Sequence, residues 1–193
     1  YDPDYGWSEW GSFRVDNYQN EDEASISLIG ITFIDHNPDY NPGLISVGNQ
    51  EQGVHLTLEN CTFANNGDAK LFEIYNENTQ VTLLNSIFDF PEGTNAYINS
   101  VSSGFNGGIS YCMFPTHVAG NSGQFIDYGS TNWNNTNFDW WYDDPLFCDP
   151  ENGDYSLAEN SPAIGRAENG LNMGSLGEGC DAIAFKVHVG GQF

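Results

Sequence analysis

Leu56-Thr-Leu-Glu-Asn-Cys-Thr-Phe63 is followed, 25 residues on, by Val81-Thr-Leu-Leu-Asn-Ser-Ile-Phe88. Apolar residues alternate in both stretches, an Asn stands three residues before the end, and a Phe closes them. Three more segments fit the same frame: Ile26–Phe33, Gly107–Phe114 and Thr131–Phe138. Their closing rings, Phe33, Phe63, Phe88, Phe114 and Phe138, are 30, 25, 26 and 24 residues apart. A second set falls between them: Leu44–Val47, Leu71–Ile74, Tyr97–Val101 and Phe125–Tyr128, with Phe13–Val15 as an earlier member. Two apolar sets keeping one period indicate a structural repeat. Alternation such as Leu56/Leu58 and Val81/Leu83 is the signature of a half-buried strand.

A repeat near 25 residues with two or three short strands fits one turn of a β-solenoid. No such coil closes a core alone, so each must bury its inward side chains on the next. Successive strands then lie about 4.8 Å apart. No segment carries a helical period, and 22 glycines punctuate the chain too often for helices. The expected fold is all-β, a solenoid of about five to six coils.

The corner residues follow from the same alignment. Asn60, Asn85 and Asn135 each precede the closing Phe by three residues, and Gly30 holds the slot in the first repeat. Asn tolerates the left-handed backbone of a sharp corner and can bond along a stack, while Gly meets the backbone need alone. Tyr111 breaks the pattern and predicts a differently turned coil. Asn60-Cys-Thr62 and Asn134-Asn-Thr136 match the N-glycosylation pattern, but an inward-facing Asn60 would not carry a glycan.

Composition narrows the function. Aromatics make up 15% of the 193 residues, too much for a disordered acidic chain. The 27 acidic residues face only four basic ones, Arg14, Lys70, Arg166 and Lys186, for a net charge of -23. Such a surface repels nucleic acid and anionic lipid, and attracts hard cations such as Ca²⁺. No apolar run reaches the roughly 18 residues of a membrane span, so no membrane insertion is expected. The chain opens on Tyr1 without a signal peptide and reads as a processed or excised piece of something longer.

The strand-Asn-x-x-Phe coils resemble the right-handed parallel β-helix superfamily, which includes pectate-lyase-like enzymes and bacterial surface proteins. The resemblance is strongest at Asp144-Pro-Leu-Phe-Cys-Asp-Pro-Glu-Asn-Gly-Asp-Tyr-Ser-Leu-Ala-Glu-Asn-Ser-Pro-Ala-Ile-Gly165 and Asn172-Met-Gly-Ser-Leu-Gly-Glu-Gly-Cys180. These are similar to the final coil and cap of secreted bacterial β-helix repeat proteins. The resemblance implies a right-handed parallel β-helix over residues 1–165, its first coil near 7–25, and a C-terminal cap with a tail strand over 166–193. It also implies secretion, or display on a bacterial surface. The resembling proteins carry cysteines at both positions 148 and 180, and a Cys148–Cys180 bridge would staple the cap. Cys61 and Cys112 share one slot two coils apart, near 9–10 Å at about 4.8 Å per coil. That exceeds the roughly 7 Å a disulfide allows, so both are expected to stay free and buried.

Candidate chemistry is sparse. Lyase action on a polyuronate needs positive charge that this chain lacks. Hydrolysis needs two carboxylates, for which Asp127, Asp139, Asp143 and Asp144 are candidates; Asp143 and Asp144 also suit the turn before Pro145. Trp140, Trp141 and Asp143 could bind a glycan, as could Trp7, Trp10 and Trp133, since sugar faces stack on rings. Asp149, Glu151 and Asp154 surround Gly153 and are the candidate Ca²⁺ ligands, although Asn152-Gly153 also reads as a turn. His36, His55, His117 and His188 lack metal-ligand spacing. The expected role is a secreted, non-enzymatic surface, adhesion or filament-forming module. Self-association and a polysaccharide are the expected partners. A glycoside hydrolase or glycan-binding module is the alternative.

Overall fold

The structure, a computed structural model, describes residues 13–15, 24–34, 44–47, 54–66, 72–74, 78–90, 98–100, 106–115, 132–133 and 140–184. It is a parallel β-solenoid of about three turns. Strands β1 (Phe13–Val15), β4 (Ile45–Val47), β7 (Phe72–Ile74) and β10 (Ile98–Ser100) form sheet A. Sheet B stacks β2 (Ala24–Ile29), β5 (Val54–Glu59), β8 (Gln80–Leu84), β11 (Asn106–Ser110) and β13 (Asn132–Trp133). Sheet C stacks β3 (Thr32–Ile34), β6 (Thr62–Ala64), β9 (Ile87–Asp89), β12 (Cys112–Phe114) and β14 (Trp140–Tyr142). All pairings within these sheets are parallel and bring each repeat onto the next. Among the described residues, helix is confined to two short 3₁₀ turns, Pro150–Asn152 and Glu168–Gly170. None of these is long and apolar enough to cross a membrane.

The corner between sheets B and C is set by backbone conformation. Gly30, Asn60, Asn85 and Tyr111 all have positive φ, at 68°, 51°, 52° and 52°. Each of the first three corner amides donates to a carbonyl of the next coil: Gly30 to Glu59, Asn60 to Leu84, Asn85 to Ser110. The stack therefore forces one corner shape on these four described coils. Tyr111 corrects the expectation that its coil turns differently, since it adopts the left-handed conformation at a cost of about 1–2 kcal/mol. Behind Asn60, Asn85 and Tyr111 a small side chain seals the bend. Ser86 Oγ donates to Leu84 O and accepts from Cys61 N, and the Cys61 and Cys112 thiols point at the carbonyls of Glu59 and Ser110.

The core is a set of ladders. Phe33, Phe63, Phe88 and Phe114 stack ring on ring, with centroids 4.6, 4.9 and 5.1 Å apart and planes within 10° of parallel. Leu56 over Val81 and Leu58 over Leu83 run beside them in register, fully buried. Aromatic stacking adds roughly 0.5–1.5 kcal/mol per pair beyond area burial.

The fifth repeat departs from expectation. Cys112, Met113 and Phe114 pair with Trp140, Trp141 and Tyr142. Tyr142, not Phe138, thus stands opposite Phe114. Trp133 pairs with Gly107, so this coil spends seven residues from there to sheet C where the previous one spends five. Sheet B is already shifted by two residues, with Trp133 rather than Thr131 opposite Gly107, and the two-residue insertion after it places Tyr142 four residues beyond Phe138.

Residues 144–184 do something other than sit on the end of the stack. Sheet D joins β15 (Phe147–Asp149), β16 (Asp154–Ala158) and β17 (Glu178–Cys180). Phe147, Tyr155, Leu157, Ala163, Ala167 and Met173 share a buried cluster with Ala64, Ile87 and Met113, on β6, β9 and β12. The segment then bonds Asn85, Thr62 and finally Thr32. It runs back along the flank of sheet C, from the last described coil to the first. Ala182–Ala184 are not a strand, and the rest of the expected tail strand lies outside the described residues.

Candidate functional site

Two features of the surface carry chemistry. The first is the outer face of sheet B. The inward residues alternate with outward ones, and register places the outward ones in rows. Ser25, His55 and Gln80 form one row; Ser27, Thr57, Thr82 and Gly108 a second; Ile29, Glu59, Leu84 and Ser110 a third. Ser25, Ser27, Ile29, Gln80 and Thr82 are exposed and His55, Thr57, Glu59 and Leu84 half-buried. The described contacts of residues 144–184 fall on sheet C and its corners, leaving this face clear of that segment. Hydroxyl and amide groups repeat on it at the interstrand spacing of about 4.8 Å, with Glu59 its one carboxylate among the described residues.

The second feature is the joint where β14 gives way to sheet D. Asp143 N donates to Phe114 O, ending the sheet C ladder. Asp143 Oδ1 then accepts from Asp144 N, and Asp144 Oδ1 accepts from Leu146 N. These carboxylates cap the turn into Pro145, as the local sequence suggested. Leu146 is buried with φ 52°, held by Ala158 N donating to its carbonyl. Beside this turn lies Asp89, at the end of β9. Burial, and then the nearby charge of Asp144, push its carboxyl up to about 6 from the usual 3.8. No sequence signal marks Asp89, because only folding brings it within reach of a residue 55 positions away.

The other expected residues resolve as follows. Cys148 and Cys180 are bridged, with Cα atoms 5.9 Å apart, and tie β15 to β17 across β16. Cys61 and Cys112 are free and buried, and burial pushes the Cys112 thiol up to about 12. Asn60 and Asn85 are corner residues. Asn85 spends its side chain outside the stack rather than along it, since its Oδ1 accepts from Glu168 N. Asn60 is half-buried and its sequon partner Thr62 is buried. In the expected Ca²⁺ loop, Asp149 Oδ2 accepts from Asn152 Nδ2, and Asp154 Oδ1 accepts from Ser156 N and Oγ. The hydrogen bonds from Ser156 hold the Asp154 carboxyl below its usual range. Glu151 is exposed in the 3₁₀ turn, and Gly153 closes it with φ 83°. Among the described residues no three His, Cys, Asp or Glu side chains converge as a metal site.

Trp140 and Trp141 lie in β14 opposite Cys112 and Met113, and Trp133 lies in β13 opposite Gly107. Asn135, Asn134, Asp127, Asp139, Trp7, Trp10, His36, His117, His188, Lys70 and Lys186 fall outside the described residues.

No protein family, no curated protein and no solved structure matches this chain significantly.

Proposed function

We propose that this chain is a non-enzymatic surface module of secreted bacterial type, a right-handed parallel β-helix that presents a rigid adhesive face. The open outer face of sheet B carries this reading. It is in register and, among the described residues, carries one carboxylate on a chain of net charge -23. A right-handed path is the hand that parallel crossovers take in nearly all cases. The Cys148–Cys180 bridge supports an oxidising, extracellular setting. In this reading β13 and β14 belong to a fifth coil, five to six coils make up the stack, and the C-terminal segment closes it from the side. The acidic remainder of the surface would draw Ca²⁺ in such a medium.

The test is binding of the full chain to a panel of bacterial cell-wall and extracellular neutral polysaccharides. Thr57→Lys with Thr82→Lys disrupts the middle row without touching the core. Binding lost in that variant supports the reading, and binding that persists, or no binding to any polymer, counts against it.

A hydrolase is the second reading, and one observation favours it. A carboxyl held near 6 beside another carboxylate is the arrangement that general acid and base pairs use. Reducing-sugar release from neutral polysaccharides, abolished in Asp89→Asn, is its signature. No release across the panel sinks it.

A further inference from the structure

The disulfide divides the chain into residues that carry tension and residues that do not. Cys148 and Cys180 are joined across a sequence separation of 32. A pull on the two ends of the chain therefore passes from position 148 to position 180 through the bridge. Residues 149–179 form a closed loop beside that path and stay slack for as long as the bridge holds.

That loop contains most of what seats the C-terminal segment on the coils. Glu168 N donates to Asn85 Oδ1, Gly174 N to Asn85 O and Ser175 N to Thr62 Oγ1, while Ser175 Oγ meets Thr32 Oγ1. Tyr155, Leu157, Ala163, Ala167 and Met173 share a buried cluster with Ala64, Ile87 and Met113. One slack loop thus reaches four successive strands of sheet C: β3, β6, β9 and β12.

The course that tension would take without the bridge shows what the bridge prevents. Load entering beyond residue 184 would run back along the segment. It would first meet Ile183, which pairs through its N–H and carbonyl with the Asn160 side chain. It would then meet β17, held by Leu157 N donating to Gly177 O and Glu159 N donating to Cys180 O. The bonds of Ser175 to Thr32 and Thr62 follow, and then those to Asn85. A segment pulled from its end loses such bonds one at a time, whereas a slack loop gives them up only together.

We propose that residues 149–179 are a mechanical clamp, kept out of the line of force by the Cys148–Cys180 bridge, that goes on holding four strands of sheet C together while the chain is under tension. The clamp does not depend on what the outer face of sheet B binds.

Single-molecule force spectroscopy on the full chain, held at its two termini, tests this. The oxidised chain should release its coils at high force and reach less than its full extension, because the loop stays closed. Opening the loop adds 32 Cα steps, about 110 Å. In Cys148→Ser with Cys180→Ser that length should appear first, as an early step at low force. The coils should then release at lower force than in the oxidised chain. A second attachment separates the line of force from the stability that the bridge confers. Asn169 is exposed within the loop, and Asn169→Cys takes a maleimide handle while Cys61 and Cys112 stay buried. With the bridge intact, a pull between residue 169 and the N-terminus should strip the segment before the coils and lower their release force. Coils that release at the same force in all three arrangements overturn the proposal, as does an added step that follows the coils in the bridgeless chain.

Discussion

Asn85 Oδ1 accepts a hydrogen bond from Glu168 N at 2.8 Å, across 83 residues of sequence. The backbone carbonyl of Asn85 accepts from Gly174 N, also at 2.8 Å. One corner residue, chosen for its left-handed backbone, thus anchors the C-terminal segment at two points. Asn85→Gly keeps the corner and loses only the side-chain bond, leaving the Glu168 amide unmet. A loss of about 1–2 kcal/mol is expected for it. Asn85→Ala adds the cost of a left-handed Ala and should lose about 1 kcal/mol more. Urea unfolding of the two variants orders them; equal losses would deny one of the two roles.

Gly174 is where that segment comes closest to the coils. Its φ is 82°, and a Cβ there would sit 2.7 Å from Thr62 Oγ1 and 2.8 Å from Ile87 Cδ1. Thr62 is buried and already accepts from Ser175 N, so it has little room to move. Gly174→Ala combines backbone strain with overpacking and should cost about 2–4 kcal/mol. Gly153, with φ 83° and nothing within 4 Å, makes the control. Gly153→Ala should cost only the backbone term, about 1–2 kcal/mol. Thermal unfolding that ranks the two alike contradicts the close approach.

Asp89 makes stability depend on pH. Its carboxyl sits near 6 in the folded chain, above the usual 3.8. A raised carboxyl favours its neutral form, so the folded state binds the proton more tightly than the unfolded one. That stabilisation is complete below about 3.8 and is lost as pH rises through 6. The full shift would be worth about 3 kcal/mol, and water reaching the half-buried group trims it to about 2 kcal/mol. Denaturant midpoints from pH 4 to 7.5 should show this decline in the parent chain and a flatter profile in Asp89→Asn. Identical profiles would remove Asp89 as the cause.

The two pairs of cysteines should behave differently. Cys148–Cys180 encloses a loop with sequence separation 32, within which fall all the segment's bonds to Thr32, Thr62 and Asn85. Removing it with paired Cys→Ser substitutions should cost about 3–4 kcal/mol in the chain-entropy account. Cys61 and Cys112 should resist a thiol reagent in the native chain and react fully, two per chain, once unfolded. Labelling of either in the native state would contradict its place inside the stack.

Much of this architecture was legible in the repeat. Phe33, Phe63, Phe88 and Phe114 mark the ladder because a parallel stack places equivalent residues one above another, so period in sequence becomes contact in space. Asn60 and Asn85 mark the corner because few residues accept positive φ. Tyr111 hid the same corner, since neighbouring coils imposed the conformation against its own preference. Tyr142 was missed because a two-residue shift in sheet B and a two-residue insertion after it leave no trace in a pattern keyed to Phe138. The course of residues 144–184 was illegible for a different reason. Met173 in one cluster with Ile87, and Ser175 N bonded to Thr62 Oγ1, are contacts without periodicity, and nothing local distinguishes a flanking brace from an end cap.

That brace is the claim on which the rest depends, because it decides which face stays open. Thr32 Oγ1 and Ser175 Oγ lie 2.6 Å apart, joining the first described coil to the segment that leaves the last. Thr32→Cys with Ser175→Cys, oxidised in the native full chain, should form an intramolecular bond linking positions 32 and 175. A segment folded over the end of the stack would leave the two thiols unpaired or join them only between molecules, and either result contradicts the lateral brace.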